Sequence, residues 1–169
     1  MKGLFGTLTA IFTLLFLIWT GARIINAIQF NRNCEGYLKR AADANTIKLA
    51  EQNLKEALNY AEKNTLTSGY TSILWRTPDE DVGFWYQNLK AALTELETLS
   101  PEVTPLERSN MLIKLRETLV DHGQSTTVTV PPGISVFPAN ILYAVLGVLS
   151  ASAACVFGAF LFLVVENDW

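Results

Sequence analysis

Two apolar stretches, 4–22 (LFGTLTAIFTLLFLIWTGA) and 138–165 (PANILYAVLGVLSASAACVFGAFLFLVV), constrain this chain more than any other feature. Neither contains Asp, Glu, Lys, Arg or His. A bilayer core about 30 Å thick takes about 20 apolar helical residues to cross, so each stretch is long enough to span one. Charge is correspondingly divided: only Lys2, Glu166 and Asp168 lie outside residues 23–121. The sequence therefore predicts an all-α membrane protein, with two transmembrane helices flanking a small three-helix extramembrane domain. The expected bounds are a short tail 1–3, a first transmembrane helix 4–28, a helical extramembrane domain 29–123, an extended connector 124–137, a second transmembrane helix 138–165 and a tail 166–169.

The short basic start ahead of an apolar run also resembles a secretory signal. The run continues to Trp19 with no small-x-small exit, and Ile24, Ile25 and Ile28 prolong it. A retained signal-anchor fits that pattern better than a cleaved peptide. Two signals for orientation conflict. Arg23, Arg32, Lys39 and Arg40 follow the first span and favour a cytoplasmic middle region. Long segments, however, translocate largely regardless of charge. The signal-anchor layout places the middle domain outside and both termini in the cytoplasm, in a bacterial inner membrane.

Three helices are expected in the middle. The first covers 31–63, with an apolar stripe of Tyr37, Ala41, Ala44, Ile47, Ala50, Leu54, Ala57 and Ala61 at helical spacing. It reads as one rod with the first span, ended by Gly69 and the Ser/Thr cluster before it. Glu51 and Lys55 form an i,i+4 pair on its polar side. Residues 70–76 (YTSILWR) read as a strand or a packed loop. The second helix begins at Thr77-Pro78-Asp79-Glu80 and the third at Thr104-Pro105-Leu106-Glu107. Both have a capping threonine, a proline in the first helical position and a glutamate that answers the cap. The second helix buries Val82, Trp85, Leu89, Ala92, Leu93 and Leu96, and the third is expected to stop near Gly123. Residues 126–130 are β-branched throughout and prefer an extended backbone, either as a linker or as an edge for a partner's sheet. Pro138 suits the first turn of the second span.

The candidate sites follow from residue type and spacing. Gly147, Ala151, Cys155 and Ala159 recur every four residues in the second span, with Ser150, Ala154 and Gly158 on an adjacent strip. Such rows let helix backbones approach closely in lipid. The first span, another membrane protein or a second copy of the chain can each supply the partner. Tyr70, Trp75, Phe84, Trp85 and Tyr86 form an aromatic group. Aromatics are the main means by which a small domain builds a core. Three consecutive helical residues, 84–86, cannot all face inward, so part of the group is a candidate docking or ligand patch at the far end of the bundle. Asp79, Glu80 and Asp81 sit where a helix N-terminus favours negative charge, and a capping role accounts for them better than a cation site. His122, the one histidine, reads as a helix C-terminal residue rather than a zinc ligand. Cys34 and Cys155 lie in different surroundings and are not expected to pair. Cys34, just past the first span, is the expected handle for labelling from outside.

The net charge of −3 and the lack of a basic patch argue against nucleic acid as a partner. No phosphate loop, nucleophile elbow, His-Glu-x-x-His or Cys-x-x-Cys occurs. No cofactor, metal site or catalytic residue is therefore expected, and the chain does not read as an enzyme. The expected partners are the lipid bilayer and other membrane subunits or further copies of itself. Three roles fit: an accessory, scaffold or assembly subunit of a membrane complex, a membrane-anchored sensor or ligand-binding module, or a self-assembling pore. The tails are too short to signal alone, and the spans lack ionisable groups to line a proton or ion path.

Overall fold

The computed structural model describes residues 2–99, 104–122 and 126–166, without the side chains of His122 and Thr126. Met1, Gly123 and the tail residues 167–169 of the sequence reading lie outside the described residues. The elements in chain order are α1 (Lys2–Phe30), a five-residue π-turn (Asn31–Glu35), α2 (Gly36–Ala42), α3 (Ile47–Lys63), α4 (Val82–Glu97), α5 (Pro105–Leu119), β1 (Val120–His122), β2 (Thr126–Val128) and α6 (Asn140–Glu166). The chain divides into two compact units, Met1–Asn26 with Ala139–Trp169 and Ala27–Pro138.

The first unit is a pair of helices, and both are long and apolar enough to cross a membrane. Almost none of their most apolar windows is buried inside the chain. Ring contacts join Phe5 to Phe160 and Phe12 to Phe157, and Trp19 lies against Gly147. As residue numbers rise along α1 they fall along α6, so the two helices run antiparallel. The second helix begins at Asn140, two residues later than its composition suggests. Phe137, ahead of a cis peptide bond to Pro138, is extended, and Ala139 accepts the first helical hydrogen bond, from Tyr143.

In the second unit the expected helix 31–63 is broken in two. Asp43-Ala44-Asn45-Thr46 forms a turn, and Thr46 restarts the helix by accepting a hydrogen bond from the Leu49 amide at 3.3 Å. α3 then folds back along the π-turn and α2. Phe30 meets Tyr60 edge-on at 6.1 Å, and the Cys34 thiol donates to the Ala57 carbonyl at 3.8 Å. Cys34, Ala50, Ala57 and Ala61 are fully buried along this contact. Their small side chains let the two backbones come close while Leu38, Leu54 and Leu58 fill the space beside them. The predicted stripe is thus buried, but by two helices facing each other. The unit is built on four α-helices rather than three.

α3 ends at Lys63, before Gly69. Thr65 takes the left-handed conformation (φ 58°), while Leu66 donates to the Ala61 carbonyl and Thr65 to the Glu62 carbonyl. These are the two bonds of a Schellman cap, formed here around a threonine. The Thr77–Glu80 box closes a 3-10 turn, and α4 starts only at Val82, capped by Asp81 accepting from the Phe84 amide at 3.0 Å. At α5 the Thr104–Glu107 box caps the helix as the sequence predicts. α5 stops at Leu119, short of Gly123, because Val120–His122 leaves the helix to pair antiparallel with Thr126–Val128. The β-branched run therefore pairs within its own chain. The core joins α2–α5 through Leu38, Leu54, Val82, Leu89, Leu115 and Leu119.

Candidate functional site

The most specific geometry in the first unit surrounds Trp19. Its indole N–H donates to the Tyr143 carbonyl at 2.7 Å, and its ring occupies the space that a side chain at Gly147 would need. A Cβ built on Gly147 would stand 2.5 Å from the ring. Asn26 donates to the Tyr143 hydroxyl at 2.8 Å, and the Arg23 guanidinium lies 5.3 Å from the centre of the Trp19 ring. One glycine thus admits one tryptophan, and the tryptophan supplies the polar bond that fixes helix register. Sequence reading singled out Gly147 but missed Trp19, Asn26 and Tyr143. The available signal was an amphipathic aromatic near the end of each apolar stretch. Beside this seam lies an apolar groove of about 410 Å³, walled by Phe12, Leu15, Leu146 and Ser150.

The small-residue row divides into two sets. Gly147 and Ser150 are buried, and Ala151, Ala154 and Gly158 are half-buried; a Cβ built on Gly158 would meet the Thr9 methyl at 3.8 Å, an ordinary contact. Cys155 and Ala159 are exposed and face away from α1. The strip containing Ser150, Ala154 and Gly158 supplies the internal contact, so the outer part of the row remains uncovered.

In the second unit the aromatic group separates by role. Trp85 is buried, and its indole N–H donates to the Thr129 carbonyl at 3.1 Å. Tyr86 is half-buried and donates to Glu62 at 2.6 Å, a bond that raises the phenol's pKa. Tyr70 and Phe84 are exposed, and Trp75 is 79% exposed. The group sits at the end of the unit where the chain enters and leaves, not at the far end. Glu62 meets Tyr86 near the start of α4, and Phe137 lies against Gly69. Phe84 and Trp85 wall a groove of about 390 Å³ whose other edges include Asp79, Asp81, Asp121 and Thr129.

Two of the three clustered acidic residues, Glu80 and Asp81, are accounted for by local bonds. Glu80 accepts from both the amide and the hydroxyl of Thr77, and Asp81 caps α4. Among the described residues no three of His, Cys, Asp and Glu are placed to hold a metal ion. His122 lies in β1 opposite Thr126 rather than in the last turn of a helix. Cys34 overturns its expected use as an outside handle: it is fully buried, and burial pushes its thiol up to about 12.

A scan against protein-family models found no match for this chain, and searches of curated proteins and of solved structures found none either.

Proposed function

We propose that the chain is a non-enzymatic accessory, scaffold or assembly subunit of a larger membrane protein complex. In this reading α1 and α6 both cross the bilayer of a bacterial inner membrane. The second unit stands outside, and both termini are cytoplasmic. The observation that carries the proposal is the divided use of the small-residue row. The helix pair is already closed by Trp19 on Gly147, yet Cys155 and Ala159 leave a shallow place on the outer side of α6. Small outward residues accept a further helix, because close backbone approach is a main source of helix association in lipid. The test is to tag the C-terminus, solubilise native membranes gently and compare the parent chain with Cys155→Leu/Ala159→Leu. A stoichiometric membrane partner that the double variant loses supports the subunit role. A parent chain that emerges alone, or a variant that keeps its partner in full, would count against it.

The groove beside Phe84 and Trp85 favours the second reading, a ligand-binding module. Saturable quenching of Trp85 emission by a small molecule would support that reading, and flat titrations would remove it.

A further inference from the structure

Residues 70–76 form a loop with a fixed base and an uncovered apolar tip. At the base, Tyr70 bridges Asp81, Val82 donates to the Gly69 carbonyl at 2.9 Å, and Thr71 donates to the Glu80 carbonyl at 3.0 Å. At the tip, Ile73, Leu74 and Trp75 are 50%, 77% and 79% exposed. Single exposed apolar residues need no explanation, but three in succession on an anchored loop do.

The position of the base suggests what covers the tip. The second unit is joined to the two apolar helices at Ala27 and Pro138. Phe30, within one turn of the first joint, packs on Tyr60 near the end of α3. Phe137, beside the second joint, packs on Gly69 at the loop base; a Cβ there would lie 3.1 Å from its ring. The end of the unit that carries both joints therefore carries the loop as well. α4 leads away from that end: Tyr86 near its start meets Glu62 in the last turn of α3, whereas Glu97 at its close pairs with Lys55, halfway back along α3, at 2.7 Å.

We propose that the Ile73–Leu74–Trp75 tip inserts into the headgroup layer of the same bilayer that α1 and α6 cross, as a third, peripheral anchor; this rests on the membrane reading above. Six residues from Gly69 to Trp75 reach at most about 20 Å, ample for a layer that adds about 5–7 Å to each side of the hydrocarbon core. Tryptophan favours that layer because its ring is apolar and its N–H is not. The loop holds no acidic residue. Arg76, stacked 5.2 Å from the Tyr70 ring centre, supplies a positive charge for lipid phosphate next to the tip.

The experiment reconstitutes the full chain in phosphatidylcholine–phosphatidylglycerol vesicles containing lipid brominated either near the headgroup or near the chain end. Tryptophan emission is read for the parent and for Trp75→Phe, a conservative change at an exposed site. Headgroup-proximal bromine should remove a component of emission that Trp75→Phe lacks, and aqueous iodide should not reach that component. If iodide quenches it and bromine does not, the tip lies in water and the proposal fails. If neither iodide nor bromine reaches it, the tip is covered by protein, either its own chain or a second copy, and the proposal also fails. Trp19 is the internal control. Loss of all bromine quenching, Trp19 included, would overturn the membrane reading itself rather than the loop's place within it.

Discussion

At the residue scale the account depends most on Gly147. The indole of Trp19 fills its side-chain position, so Gly147→Ala must push the ring out, break the bond to the Tyr143 carbonyl, or both. Overpacking of this kind costs about 1–3 kcal/mol. Thermal denaturation in mild detergent should show that loss, while Gly158→Ala, which meets nothing closer than 3.8 Å, should be nearly silent. Equal effects at the two glycines would contradict the Trp19 seam. Cys34 gives a chemical prediction. Its thiol is buried and pushed up to about 12, so a maleimide should leave it unmodified across the neutral range and label it only after denaturation. Thr65 holds a left-handed backbone that β-branched residues rarely adopt. Thr65→Gly relieves left-handed strain of about 1–2 kcal/mol against a backbone-entropy cost of about 0.5–1 kcal/mol, so it should raise the melting temperature of the second unit modestly.

At the element scale the helix ends explain what the sequence made legible. Thr104-Pro105-Leu106-Glu107 predicted the start of α5 because a capping box is a local device: all of its partners lie within four residues. Glu107 accepts from the Thr104 amide at 2.9 Å and from its hydroxyl, and these bonds lower its pKa below the ordinary 4.5. A depressed carboxylate contributes stability that is intact above its ordinary pKa and lost as the pH falls through the lowered one. Protection factors at the start of α5, with the intrinsic pH dependence of exchange divided out, should therefore fall on acidification through that window, and Glu107→Gln should abolish that fall. The break at 43–46 was missed because no glycine or proline marks it and the apolar stripe runs through it in phase, which outweighed the turn and cap residues Asp43, Asn45 and Thr46. A stripe shows which side of a helix is buried but not whether its partner is a neighbour or the same segment folded back. The early end of α5 was missed because strand pairing with 126–128, a contact outside the local window, outweighed the helical pattern. The aromatic group was legible as a mixture of core and surface, but its end of the bundle was not, since that depends on the fold-back of α3.

At the scale of the whole molecule, the two units have different solvent requirements. The second buries a core of alanine, leucine and valine with Phe30 and Trp85, whereas the first leaves Leu14, Leu17, Ile18, Leu149 and Phe162 open. Apolar surface of that extent calls for an apolar solvent, and the account supplies one by placing α1 and α6 across a bilayer with the second unit on its outer side. Introduced cysteines test this most directly, since Cys34 is inert and Cys155 lies in the proposed span. Asn110→Cys is on an exposed face of α5, and Glu166→Cys ends α6. Each would be treated with a membrane-impermeant maleimide on intact cells and again after lysis. The account predicts that position 110 labels on intact cells and position 166 labels only after lysis. Labelling of both positions on intact cells, or of position 166 alone, would contradict it.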